Sequence, residues 1–582
     1  MNQSDITQSL TGYSDFVHQA LQDFNVPGAG VAIVANGEIA YIEGFGYRDI
    51  EAKKLITADT LFAICSTTKA MSATLIGMFV DEGKLAWDTP LRHYLPTFRL
   101  SDPIISERVT LRDLLTHRSG LARHDALGYN NTKDTRADIV ARLAYLELTA
   151  DLRERFQYNN LMYITAGYLL EQLTGQTWEA LMRERLFKPL GMLRSNLSVS
   201  DVQQDSDFTY PYVEKSRQTI KRIPFNPLDL NGPAGAVNTS LNEMSRWLLF
   251  NLNKGKVDEQ SLIKAATLAE IHSPQMSMGE TYTEHPEISQ ATYGMGWELR
   301  TYRGHRCLSH GGSSDGFSVL AALLPDDGFG IIAFDNRSSE LPALISRHAI
   351  DLILGLTSID WLGQSLKTRQ HQLASQRTTT RKTTRRVTGT QPTHVLADYA
   401  GEYSHPGYGE LTIQITDTAL QAIYHDIKIP LEHWHYEVWQ STQRDSDWIY
   451  TDWLFSDMKF HFRSNFDGHI MSVEAMFEPL GAPIIFEKKP DRKLFDPGYL
   501  KSLTGIYLSA DKSKAAIILA DNVLTLTGPD QITHTLVPTT SGQFLLEQAP
   551  FIRIEFVASK QEQAIRMNVY FPKNISEWER IK

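Results

Sequence analysis

Cysteine is nearly absent. Two residues in 582 cannot make a disulfide framework, and Cys65 and Cys307 are expected as buried free thiols. No stretch is apolar for long enough to span a membrane as a helix. Basic charge is in deficit: the net charge is −11 at pH 7, which weighs against nucleic acid as a partner. The amino-terminal Met1-Asn2-Gln3-Ser4-Asp5-Ile6-Thr7 has no basic segment leading into an apolar run, so no signal peptide is read. The expectation is a cytoplasmic protein, or a periplasmic one if a leader was removed. What remains is an ordinary globular composition in a chain too long for one domain.

The first chemically suggestive stretch is Ser66-Thr67-Thr68-Lys69. An apolar helical pattern follows it, with Met71, Leu75, Ile76, Phe79 and Val80 on one face, so Ser66 sits at a helix start. Residues three apart share a face, which puts Lys69 one turn behind the Ser66 hydroxyl. A serine hydroxyl needs a neighbour to take its proton, and a helix amino end offers N–H groups to a developing oxyanion. The pattern is weak alone, since Ser261/Lys264, Ser456/Lys459 and Ser509/Lys512 match it too. Upstream, Asp5 to Phe24 predicts a helix ended by Val26-Pro27-Gly28, and Asn36-Gly37 predicts a hairpin between Gly30–Ala35 and Glu38–Gly44. Downstream, Thr110 opens a short helix over Leu111–Leu115 that runs into Thr116-His117-Arg118-Ser119-Gly120. His117 is read as a helix-end residue, with a catalytic base as the alternative.

Tyr158-Asn159-Asn160 precedes an apolar helical run from Leu161 to Leu170. A phenol crowded by cations has a lowered pKa and can relay a proton to a leaving group, while an amide two residues on can hold a substrate amide or carbonyl. Tyr129-Asn130-Asn131 repeats the pattern, but in a stretch that reads as a polar loop, so Tyr158 is preferred. Leu308-Ser309-His310-Gly311-Gly312-Ser313 leads into Ser318–Leu324 and Gly330–Phe334, which read as consecutive buried antiparallel strands. Its glycines let a substrate backbone come close. The amides of Ser66 and Ser313 are the expected oxyanion donors.

Ser66-x-x-Lys69, Tyr158-x-Asn160 and His310-x-Gly312, in that order, resemble the serine β-lactamase and penicillin-binding-protein superfamily. The likeness is to its class C-like branch of D-aminopeptidases, D,D-peptidases, esterases and related hydrolases. Leu85-Ala86-Trp87-Asp88-Thr89-Pro90, Leu114 to Leu121, Pro233-Ala234-Gly235-Ala236 and Tyr293-Gly294-Met295-Gly296-Trp297 look like the same branch, over about residues 10 to 360. One departure matters. Lys-Thr-Gly and Lys-Ser-Gly, usual at the third motif of authentic β-lactamases, occur nowhere in the chain. His310 stands there instead, mostly neutral at pH 7 and unable to fix a substrate carboxylate by permanent charge. By resemblance, His-x-Gly goes with D-aminopeptidases and esterases, and β-lactamase activity is reduced to a side reaction.

From Lys367 to Thr390 the chain is basic, Thr-rich and without acid, and reads as a solvated linker. Strand patterns follow. Leu396 to Tyr403 resembles Leu500 to Tyr507, and each opens a run of short alternating strands. This is an internal repeat, read as two small antiparallel β-barrels. His433-Trp434-His435 is read as a barrel-wall pair rather than a metal site. A catalytic domain followed by two eight-stranded barrels resembles the D-aminopeptidases of the family, in which barrel loops reach the active-site mouth.

The expected fold is α+β. A β-lactamase-like domain over 1–365, an antiparallel sheet flanked by helices plus a helical lobe, is followed by a basic linker over 366–394 and barrels over 395–490 and 491–582. The expected function is serine hydrolysis of small amides or short peptides through a Ser66 acyl-enzyme, with Lys69 and Tyr158 moving the proton. Asn160, His310 and Gly312 are assigned to substrate, and Ser66 and Ser313 to the oxyanion. No metal or organic cofactor is called for. The alternatives are an esterase of the same family and a penicillin-binding sensor or scaffold without turnover.

Overall fold

The computed structural model describes residues 3–216, 219–279, 285–379, 386–442, 455, 457–558 and 564–581. Contacts divide the chain into two units. The first holds residues 1–385 with 443–456 and 477–482, and the second holds 386–442, 457–476 and 483–582.

The first unit is built on a nine-stranded antiparallel sheet. From one edge to the other its strands are Met276–Ser277, Ile288–Tyr293, Glu298–Tyr302, His305–Ser314, Phe317–Leu324, Phe329–Asp335, Gly28–Ala35, Glu38–Asp49 and Lys54–Leu55. The hairpin turning at Asn36-Gly37 is present, both residues taking positive φ. Every residue of Gly28–Ala35 is buried, so the alternation of a half-exposed strand is missing and the segment reads as one apolar run. Tyr13–Phe24 and Leu341–Ile353 contribute to the core on one face, while Leu241–Leu252 packs on the same central strands. The amino-terminal helix is two helices, Gln3–Ser9 and Tyr13–Phe24. The first ends at Ser9, and Gly12, at φ 83°, stands at the amino end of the second.

The helix after Ser66 runs from Thr68 to Asp81, preceded by a 3-10 turn over Cys65–Thr67. Sequence spacing assigned it one apolar face. In the structure all of Thr68 to Phe79 is buried, because other helices pack around it. Asn160–Thr174, capped by the Asn159 side chain on the Met162 N–H, packs against it, as does the short Gly232–Gly235 helix. The basic stretch after residue 366 begins inside a helix, Trp361–Thr379, and Arg381, Lys382 and Arg385 lie outside the described residues.

The second unit contains two closed eight-stranded barrels, Gly401–His405 through Ile484–Lys488 and Gly505–Ser509 through Asn574–Arg580. The repeat is visible atom by atom. Tyr403 and Tyr507 are both fully buried, and each hydroxyl donates to the carbonyl four residues back, Tyr399 and Leu503, at 2.7 Å. His433 and His435 bond within the barrel surroundings, to the Tyr436 carbonyl and the Val387 N–H. Among the described residues no helix is long and apolar enough to cross a membrane.

Candidate active site

Cys65 opens the site with a left-handed φ of 48°, a conformation a non-glycine residue keeps only where its surroundings impose it. The turn brings Ser66 to the start of the buried helix. The Lys69 nitrogen lies 3.1 Å from Ser66 Oγ and donates to the Ala234 carbonyl at 2.8 Å. Lys69 is completely buried. Desolvation, helped by the Arg123 charge, holds its pKa well below the ordinary lysine range. The amine is therefore driven toward its neutral form, able to accept a proton.

Tyr158 stands on the opposite wall. The Lys69 nitrogen is 4.9 Å from the Tyr158 ring centroid, and Tyr158 lines the same cavity as Ser66. The Tyr158 pKa is raised, contrary to the expectation from nearby cations. Loss of water around the ring outweighs both the Ser66 side chain and the Arg123 charge. The phenol keeps its proton and is a donor rather than a resident base. His117 backs the ring at a centroid distance of 4.4 Å and accepts the Asn159 N–H on Nδ1 at 3.0 Å. Burial pushes its pKa well down, so His117 is a neutral packing and tethering residue, at φ 57°.

His305–Ser314 forms the third wall. It pairs with Glu298–Tyr302 only as far as Ser309, which leaves its later residues an open edge on that side. A Cβ at Gly312 would press on the Ile64 carbonyl and stand 3.1 Å from the Ser66 amide nitrogen, so glycine is required for the strand to come this close. Gly296 plays the same part beneath the helix, where a Cβ would be 2.7 Å from the Ala70 nitrogen. His310 is buried, its Nε2 2.9 Å from the Tyr293 hydroxyl and its Nδ1 2.6 Å from the Gly311 carbonyl. Desolvation lowers its pKa to about 3. Ser313 is exposed on this strand, and its hydroxyl meets that of Ser338 at 3.1 Å. Cys65, its Sγ 3.2 Å from Ser314 Oγ, has its pKa pushed up to about 12 by burial and is not a reactive thiol; both cysteines are free and buried.

Two cavities meet at Ser66. One of about 430 Å³ is bordered by Ser66, Arg123, Tyr158, His310 and Gly312 and extends to Arg300 and Arg347. A smaller one, about 100 Å³, is bordered by Ser66, Arg123, Asp125, Tyr129, Asn160 and Ser313. The structure thus gathers Ser66, Lys69, Tyr158, Asn160, His310, Gly312 and Ser313 into one site. It also adds residues that sequence reasoning missed. Arg123 pairs with Asp125 at 2.6 Å and lies 4.9 Å from the Tyr158 ring centroid. Asp125 accepts the Asn160 side-chain N–H at 3.0 Å. Tyr129, expected in an unpacked loop, is buried and donates to Asp315 at 2.6 Å. The one available signal was the stretch Thr116–Leu121 just before them.

A family model described as β-lactamase matches residues 14–355, and the chain belongs to that family of serine hydrolases. A second model, a domain of unknown function (DUF3471), matches residues 385–488. Among curated proteins the chain is similar to the unguisins hydrolase ungD' of Aspergillus campestris (strain IBT 28561), 29% identical over 435 residues, 72% of this chain and 79% of that protein. It is also similar to protein flp of Staphylococcus aureus (strain MW2), 25% identical over 57% of this chain and 64% of that one. The structure of the octameric penicillin-binding protein homologue from Pyrococcus abyssi shares the fold at TM-score 0.53 and 21% identity. That match covers 82% of this chain and all of that chain.

Proposed function

We propose that the protein hydrolyses small amides or short peptides, including those with a D-residue, through an acyl-enzyme on Ser66. The observation that carries the reading is the fully buried Lys69 nitrogen 3.1 Å from Ser66 Oγ, drawn toward its neutral form by desolvation. Ser66 Oγ bonds to the substrate carbonyl carbon while its proton passes to Lys69. The Ser66 and Ser313 amides receive the oxyanion. Collapse breaks the carbon–nitrogen bond, and the protonated Tyr158 phenol gives its proton to the leaving amine, regaining one from the Lys69 ammonium. Water then attacks the ester carbonyl carbon, losing a proton to Lys69; the carbon–Oγ bond breaks, the acid departs, and Lys69 returns that proton to Ser66 Oγ. Asn160 holds the substrate along the open edge of His305–Ser314, where His310 lines the pocket. A neutral His310 supports amide or ester substrates over those needing a fixed cation at the third motif. The name of the similar unguisins hydrolase supports hydrolysis of this general kind.

Turnover of D-alanine p-nitroanilide and of p-nitrophenyl acetate by wild type and Ser66→Ala tests the reading. Wild-type anilide hydrolysis abolished in Ser66→Ala is the expected result. Turnover of the ester alone would make the protein an esterase, and equal activity in Ser66→Ala would remove Ser66 from the mechanism.

A further inference from the structure

The loop that carries Arg123 and Asp125 turns at His124, which is buried and takes φ 47°. A left-handed backbone at a non-glycine residue persists only where neighbouring contacts over-determine it. A buried N–H at such a turn needs an acceptor. The acceptor is a carboxylate 354 residues further along: the His124 N–H donates to Glu478 Oε2 at 2.7 Å. Glu478 is itself buried, and its other oxygen accepts the Leu480 N–H at 3.0 Å, which fixes the carboxylate plane. Residues 477–482 lie between the last two strands of the first barrel in sequence but belong to the first structural unit. They are moored a second time, the Ala482 N–H reaching Glu147 at 3.4 Å. From there Thr149 donates its N–H to the Gly120 carbonyl at 3.0 Å, and the Asn159 side chain holds the Ala122 carbonyl.

We propose that Glu478 is a positioning residue for the active site: it holds the His124 turn so that Arg123 lies against Tyr158 and Asp125 against Asn160. This rests on the roles given above to Ser66, Tyr158 and Asn160. Glu478 touches no substrate; it acts through the two side chains that flank the amide it binds. A charge-assisted bond to a backbone N–H is short and directional, and releasing it frees the turn to leave its left-handed geometry. Tyr158 would then lose the guanidinium beside its ring, and Asn160 the carboxylate that orients its amide. The proposal gives a segment within the DUF3471 match, residues 385–488, a part in catalysis by the upstream residues.

The test uses the full chain as wild type, Glu478→Ala, Glu478→Gln and Glu478→Asp, each also in an Arg123→Gln background. Kinetics are read on D-alanine p-nitroanilide, and amide hydrogen exchange is read over residues 121–127 and over Thr68–Asp81. Glu478→Ala is expected to lower kcat/KM about 10- to 100-fold, mostly through kcat. Glu478→Gln, which keeps an acceptor oxygen, should stay within about threefold of wild type, while the shorter Asp should behave as Ala. In the Arg123→Gln background the Glu478→Ala loss should shrink to about threefold or less, a coupling that general destabilisation would not produce. Exchange over 121–127 should accelerate at least about tenfold in Glu478→Ala while Thr68–Asp81 stays protected. Unchanged exchange over 121–127, or equal losses in both backgrounds, would overturn the proposal. A wild type inactive on the anilide whose Glu478→Ala variant still exchanges faster would count against the hydrolase reading and leave the Glu478 contact standing. If Glu478→Ala does not fold, the Gln and Asp variants carry the same comparison.

Discussion

The Lys69 nitrogen lies 3.1 Å from Ser66 Oγ and 2.8 Å from the Ala234 carbonyl, in a pocket that excludes water from it completely. Burial that suits a base is costly for a fold. A lysine whose folded pKa is depressed binds fewer protons folded than unfolded, so stability rises with pH between the folded and unfolded values and is lowered at neutral pH. Lys69→Met should therefore abolish turnover yet raise Tm by about 2 °C or more. Calorimetry beside a hydrolysis assay checks both halves. A lower Tm in Lys69→Met would mean that the ammonium form is the stable one.

Tyr158 keeps its proton, so its removal should matter where a leaving group needs one. Tyr158→Phe should lower kcat on D-alanine p-nitroanilide about 100- to 10,000-fold, and far less on p-nitrophenyl acetate, whose phenolate leaves unaided. Equal losses on the two substrates would point to a positional role instead.

Gly312 marks the closest approach of the sheet to Ser66. Gly312→Ala sets a Cβ against the Ile64 carbonyl and 3.1 Å from the Ser66 nitrogen. The expected cost is about 1 to 3 kcal/mol of stability, with a loss of acylation of about 100-fold as the strand is displaced. Urea unfolding and the rate of covalent labelling measure the two effects.

Acid should unfold the first unit through its buried histidines. His310 and His272 are both lowered from 6.5 to about 3, chiefly by desolvation. Each contributes stability that is fully present above the unfolded value of 6.5 and is lost as pH falls toward about 3, by about 1.4 kcal/mol per pH unit per residue. His272 lies away from Ser66, its Nε2 3.1 Å from the Asn251 side-chain oxygen. His272→Gln should flatten the slope of Tm against pH between 4 and 6 without changing kcat near neutrality. An unchanged slope would mean that His272 is protonated in the folded state.

The motifs were legible because each joins chemistry to a local pattern. Ser66 and Lys69 stand one helical turn apart, Tyr158 precedes a helix start, and Gly312 lies in a strand. The barrels were legible as a repeat because Tyr403 and Tyr507 occupy one position in two copies of the same fold. Four things were not legible. The pKa direction of Tyr158 follows from how completely the fold dries the ring, which neighbouring residue types do not reveal. Arg123 and Asp125 matter because His124 is left-handed, a backbone fact with no glycine to announce it. Glu478 is 354 residues from its partner, beyond the reach of any periodicity. The helix Thr68–Asp81 reads as amphipathic in sequence, yet small residues such as Ala70, Ser72 and Ala73 are buried as fully as the large ones.

Ser66 as the nucleophile is tested most directly by intact-protein mass after exposure to a fluorophosphonate, on wild type and on Ser66→Ala. One adduct on wild type and none on Ser66→Ala is the predicted result. An adduct of equal yield on both proteins, or none on a folded wild type, would contradict it.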